Sequence, residues 1–127
     1  MLKYITDAHG APAAIGPYSQ AVEGGNLVFL SGQIPLNPEN GEIVSADVKE
    51  QTKQVMSNLS AVLAHSGLTF RNVMKSTIYL SDMNNFSAVN EVYENCLEGV
   101  KPARATVEVA RLPKDVLVEI DMIAFKS

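Results

Sequence analysis

Arg104 and Glu119 are the two residues whose chemistry fits together most readily. Both fall in the stretch Pro102 to Ile120, which reads P-A-R-A-T-V-E-V-A-R-L-P-K-D-V-L-V-E-I. An arginine fork holds a carboxylate bidentately. A carboxylate set among apolar neighbours, as Glu119 is between Val118 and Ile120, can position or activate water. The stretch reads as two β-like runs around the turn Leu112-Pro113-Lys114-Asp115, which predicts a hairpin. A turn centred near Pro113 sets Glu119 opposite Thr106 to Glu108. Arg104 then lies two to four residues further along, on the order of 7–13 Å away at about 3.3 Å per residue. The expectation is no direct intrachain bridge: either a ligand spans the two residues or a second copy of the chain supplies one of them.

Three further places could contribute. Tyr18 follows Gly16-Pro17 in a Pro- and Gly-fixed segment, Ala11 to Gln20. Taken alone it reads as a ring packed on the core with a wet hydroxyl. Ser31-Gly32-Gln33 ends an apolar run, and glycine there lets backbone approach a ligand closely. By itself it reads as a strand-ending turn. Asn90 falls on an apolar helical face, where a buried amide needs partners. It either ties down a loop or contacts a ligand.

The elements that must position these residues can be read in order. Leu2 to Ile5 predicts a short edge strand. Gln20 to Glu23 and Leu27 to Leu30 predict strands around Gly24-Gly25-Asn26. Pro35 to Ile43 is a loop. Asp47 to Ser66 predicts a helix, with Asp47 and Glu50 as a capping box and Val48, Thr52, Val55, Leu59, Val62 and Leu63 as its buried stripe. Gly67 stops it. Val73 to Leu80 predicts a strand, with Lys75 marking an edge or a strand end. Asp82 or Asn84 caps a second helix that runs to about Glu98 and buries Phe86, Val89, Tyr93 and Leu97. Val116 to Phe125 predicts a last strand that is largely apolar on both faces. Two helices can cover only one face of a five- or six-stranded sheet, so self-association is expected to cover the other.

Composition sets the bounds. The chain has 127 residues, 46% of them hydrophobic, which suits one domain with a real core and argues against disorder. No apolar run reaches the roughly 18 residues that span a bilayer. The first ten residues lack the apolar segment of a secretory signal, and one cysteine excludes an internal disulfide, so a cytoplasmic protein is expected. A net charge of −4 argues against a general nucleic-acid grip. There is no phosphate-cradling glycine motif and no nucleophile elbow. His9, His65 and Cys96 have no metal-ligand spacing, so no metal site is expected.

Ala14-Ile15-Gly16-Pro17-Tyr18-Ser19-Gln20, Ser31-Gly32-Gln33-Ile34-Pro35, Pro102-Ala103-Arg104, Leu112-Pro113-Lys114-Asp115 and Val118-Glu119-Ile120 together resemble the reactive-intermediate deaminase family, of the RidA or YjgF type. The resemblance implies an α+β, chorismate-mutase-like fold: a mixed β-sheet of about six strands with two helices packed on one face, assembled as a homotrimer with clefts between subunits. It implies hydrolysis of 2-imino acids, formed from enamines such as 2-aminoacrylate, to 2-oxo acids and ammonia, with no cofactor. It assigns the carboxylate clamp to Arg104 and the water to Glu119. Tyr18, Ser31, Gly32 and Asn90 are implied to line the cleft. Thr106 stands where many bacterial members have cysteine and offers its backbone and hydroxyl. The competing expectation is a trimeric 2-oxo-acid-binding or protein-interaction module without turnover. RNA cleavage, ascribed to some relatives, is disfavoured by the acidic charge.

Overall fold

The structure is a computed structural model describing residues 1–127. It contains one mixed six-stranded sheet in the order β1-β2-β3-β6-β4-β5. The strands are β1 (Lys3–Ile5), β2 (Ala21–Gly24), β3 (Leu27–Gln33), β4 (Val73–Leu80), β5 (Ala103–Glu108) and β6 (Val118–Phe125), and the helices are α1 (Val48–His65) and α2 (Phe86–Leu97). No helix is long and apolar enough to cross a membrane.

The connections explain why both helices share a face. β3 and β4 each pair antiparallel with β6, so they run parallel to each other, and β5 pairs parallel with β4. The links β3-α1-β4 and β4-α2-β5 are therefore both crossovers between parallel strands. Such crossovers are right-handed almost without exception, and both step across the sheet in the same direction. Both helices thus land on one side. Beneath them Val55, Leu59, Leu63, Ile78, Leu80, Val89, Tyr93, Val118, Ile120 and Met122 form a continuous core.

The helix over Asp47 to Ser66 forms as its periodicity requires. Asp47 accepts from the Glu50 N–H at 3.0 Å, while the Glu50 carboxylate pairs with Lys53 and does not complete the box. The second helix differs at its start. Asp82 caps a short 3-10 turn, Met83–Asn85, by accepting from the Asn84 N–H, and α2 begins only at Phe86.

The expected Pro102–Ile120 hairpin does not form. β4 lies between β5 and β6, and β5 pairs only with β4. The nine-residue link 109–117 instead crosses the end of β4, where the Val109 N–H donates to the Leu80 carbonyl and the Ser81 N–H to the Leu117 carbonyl. Lys114 and Asp115 both sit at positive φ there (55° and 57°). The physical reason is burial. The Val118–Phe125 run is apolar enough to occupy the centre of the sheet. β5 carries Arg104 and Glu108 and suits an edge, where charge discourages stray strand pairing. Lys75 consequently marks no edge, since β4 is an interior strand.

The last strand begins at Val118, two residues later than expected, and its two faces differ. Val118, Ile120, Met122 and Ala124 are buried under the helices, whereas Glu119, Asp121, Ile123 and Phe125 look to the other side. Across that open face Tyr4, Leu27, Phe29, Val107 and Phe125 remain exposed. β3 runs past Leu30 and ends at Gln33, so Ser31-Gly32-Gln33 forms the last three residues of the strand and is not a turn after it.

Candidate functional site

The candidate residues separate into two clefts. The first, about 610 Å³, lies between the Pro12–Ile15 segment, Tyr18, the end of β3, the Pro113-Lys114 turn and Glu119. The second, about 500 Å³, lies between α2 and the start of β5 and holds Asn90, Tyr93 and Arg104.

The first cleft is shaped by an irregularity in β3. Leu30 aligns with Met122 and Gln33 with Ile120, so β3 carries one residue more than β6 over this interval. Such a bulge bends the strand and re-aims side chains, and bulges gather near functional sites. Gly32 sits in it. A Cβ at position 32 would collide with Oε2 of Glu119. Glycine is therefore required for the glutamate to lie against the β3 backbone. Ser31 holds the opposite wall: its hydroxyl donates to the Ser19 carbonyl at 2.6 Å and its N–H to the Gln20 carbonyl at 3.0 Å. That bond fixes the strip carrying Tyr18, whose ring is half exposed at the cleft and does not pack into the core.

Glu119 is half-buried and takes part in no ion pair within the chain. Burial, and then the neighbouring charge of Asp121, push its carboxyl above the usual carboxylate range. A carboxyl raised in this way takes up a proton more readily than a solvated one, which suits a general base.

The second cleft holds the cation. Arg104 Nη1 donates to Asn90 Oδ1 at 2.6 Å. Its guanidinium stands 5.6 Å from the centre of the Phe86 ring and 5.4 Å from that of Tyr93. Stacking and one hydrogen bond fix the plane of the fork and leave its other N–H donors for an anion. Asn90 is therefore the holder of Arg104, a link the sequence left open between a loop tie and a ligand contact. Thr106 lies two residues further along β5 on the same side, with its Oγ1 buried and unpartnered within the chain, and it lines neither cleft.

Arg104 and Glu119 do not meet within one chain. Arg104 aligns with Ser76 of β4 and, through it, with Met122 of β6, both buried on the helix side. Glu119 aligns with Tyr79 and points to the open face, because Val118 and Ile120 beside it point inward. The two residues are two strands and three residues apart, on the order of 14 Å between backbones, and they project from opposite faces. The sequence expectation of no direct bridge agrees with this, although the hairpin it rested on does not exist.

Three loop-fastening amides had no sequence signal beyond being polar residues in apolar surroundings. Gln20, Gln51 and Asn58 are all essentially buried. Gln20 accepts from the Ala8 N–H at 2.8 Å and donates to the Pro12 carbonyl at 2.7 Å, setting the Pro12–Ile15 wall. Asn58 donates to the carbonyls of Ile34 and Leu36, setting the far wall.

The sequence model of a family described as Endoribonuclease L-PSP matches residues 8–126. The chain belongs to that family, the RidA/YjgF type. It is 52% identical over 127 residues to a RutC family protein of Pyrococcus abyssi, covering 100% of both chains. It is 44% identical over 127 residues to the 2-iminobutanoate/2-iminopropanoate deaminase of Mus musculus, covering 100% of this chain and 94% of the mouse protein. Among solved structures it resembles that of E. coli TdcF with bound serine, at a TM-score of 0.92 and 43% identity, covering 98% of this chain and 100% of that one.

Proposed function

We propose that this protein hydrolyses reactive 2-imino acids, such as 2-iminopropanoate and 2-iminobutanoate, to 2-oxo acids and ammonia, as a homotrimer with its sites between subunits. The observation that carries this reading is the state of Glu119. It is a half-buried, ion-pair-free carboxyl pushed up by burial, at the wall of a cleft. A binder of anions gains nothing from such a group, whereas a water-activating site requires one.

Arg104 of one subunit clamps the substrate carboxylate with the fork that Asn90, Phe86 and Tyr93 orient. Glu119 of a neighbour takes a proton from the water that attacks the imine carbon. Tyr18, Ile15, Ile34 and Leu36 offer an apolar wall suited to a short alkyl side chain. An imine carbon is already electrophilic, so holding carboxylate and water in line supplies most of the required advantage. Similarity across the full chain to the mouse deaminase supports the reading.

A second reading has an observation of its own. TdcF is described with serine bound, which fits a module that senses small carboxylates without turnover. A coupled assay separates the two: a pyridoxal-dependent threonine dehydratase releases the enamine, and semicarbazide competes for the imine. Native protein is expected to accelerate 2-oxo acid formation, and Arg104→Ala and Glu119→Ala of unchanged oligomeric size are expected to lose at least about 10²-fold. Ligand binding by native protein with no acceleration across several imines would leave the sensing module.

A further inference from the structure

Asp121 follows Glu119 by two residues on β6, on the same open face, and its side chain meets that of Tyr79 on the neighbouring β4. The Tyr79 hydroxyl donates to Asp121 Oδ2 at 3.0 Å. Tyr79 is itself the residue directly opposite Glu119 in the sheet register. The three side chains therefore form one block: Tyr79 holds Asp121 in place, and Asp121 holds a negative charge beside Glu119.

We propose, resting on the imine-hydrolysis reading, that Asp121 fastened by Tyr79 is a positioning residue that commits Glu119 to carrying a proton from the attacking water to the departing amine. Imine hydrolysis needs that transfer. In the first step the water oxygen bonds to the iminium carbon, the C=N π pair moves to nitrogen, and Glu119 takes one water proton, leaving a neutral carbinolamine. In the second step Glu119 gives its proton to the amine nitrogen. In the third, the carbinol O–H proton returns to Glu119, the oxygen pair forms C=O, and the C–N bond breaks to release ammonia. Glu119 then protonates ammonia to ammonium, and iminium plus water has become 2-oxo acid plus ammonium. A carboxylate in an ordinary aqueous setting accepts the first proton poorly. A second anion fixed alongside makes acceptance easier, because like charges at close range disfavour double ionisation.

The groups facing Glu119 from the surrounding elements are Tyr18 from the 11–20 segment, Lys114 from the turn before β6, Tyr79 from β4 and Asp121 on its own strand; β3 contributes only Ser31, Gly32 and Gln33. After burial, Asp121 is the charge that raises the Glu119 carboxyl. An Arg104 delivered by a second copy meets the substrate's own carboxylate, which offsets its charge.

The test has two independent readouts. Carbon-13 titration of the side-chain carboxyls, with the Glu119 signal assigned by its loss in Glu119→Gln, reports the proton affinity without any substrate. The pH profile of kcat/KM for imine hydrolysis reports its use. Asp121→Asn keeps an acceptor for the Tyr79 hydroxyl and removes the charge, and Asp121→Glu keeps the charge. In Asp121→Asn the Glu119 titration and the acidic limb of the rate profile are expected to move together to lower pH, and in Asp121→Glu both are expected to stay near native. A Glu119 titration identical in native and Asp121→Asn protein overturns the proposal, as does a rate profile that stays put while the titration moves. If native protein hydrolyses no imine while the titration still moves, the coupling stands, the enzyme reading fails, and the proton-carrying role falls with it.

Discussion

Glu119 carries a stability cost that grows as pH rises. Its carboxyl is pushed up in the folded chain by burial and by Asp121. The folded state therefore binds the proton more readily than the unfolded state. Stability is fullest below the unfolded value and declines as pH rises through the folded one. Glu119→Gln removes the charge that burial disfavours. Its thermal midpoint is expected to exceed that of native protein at pH 7–8, and the gap is expected to close below about pH 4.5, where the native carboxyl is protonated in both states. Midpoints measured across that range check the point; a variant less stable than native at pH 8 contradicts it. The placement of candidate residues was partly legible in the sequence: Arg104, Glu119, Tyr18, Gly32 and Asn90 all lie at the two clefts, whereas Thr106 lies at neither. Their grouping was not, because the partner of a side chain depends on strand order. Asn90 reads as an isolated amide until β5 is placed beside α2. The need for Gly32 shows only once the Glu119 carboxylate is seen against it.

At the scale of elements, periodicity foretold both helices and most strands, since a 3.6-residue stripe and a flanking glycine are local signals. The hairpin over Pro102–Ile120 failed because pairing is decided by which strand can be buried deepest, a comparison across the chain and not within a window. The buried amides were equally hidden, since the carbonyls and N–H groups they satisfy are distant in sequence. Gln51 is the most consequential for the site. Its Nε2 donates to the Ser45 carbonyl at 2.9 Å and its Oε1 accepts from the Leu117 N–H at 2.8 Å, two residues before Glu119. One side chain of α1 thus anchors both the entry to that helix and the entry to the strand that carries Glu119. Gln51→Leu conserves bulk but strands a partly buried donor, the Leu117 N–H, and a partly buried acceptor, the Ser45 carbonyl. The cost expected is on the order of 2–4 kcal/mol in chemical denaturation, against less than about 1 kcal/mol for Lys53→Ala, which breaks only an exposed pair. Equal effects of the two would show that water replaces the lost bonds and that the amide is no anchor.

At the scale of the whole molecule, two features point to the same requirement. Arg104 and Glu119 emerge from opposite faces of one sheet, and neither cleft contains both. The open sheet face meanwhile leaves Tyr4, Leu27, Phe29, Val107 and Phe125 exposed, where a lone chain has nothing to cover them. A ring in which each copy presents its β5 edge to the Glu119 cleft of the next satisfies both at once. A head-to-tail contact of this kind closes on itself when the rotation between copies permits. The consequence is specific to a shared site. Arg104→Ala chains retain good glutamates, and Glu119→Ala chains retain good arginines. If the two inactive proteins are unfolded together and refolded as a mixture, random assembly gives about a quarter of the interfaces an intact arginine from one variant and an intact glutamate from the other. Imine hydrolysis is expected to return to about that fraction of native activity, while either variant refolded alone stays inactive. Introducing Phe29→Glu into both chains is expected to abolish the rescue together with the assembly, as read by sedimentation, because it places charge on the face that the proposed ring would bury. Absence of rescue in a mixture shown to contain mixed assemblies would mean that each chain completes its own site, which would require Arg104 to reach the opposite side of its own sheet.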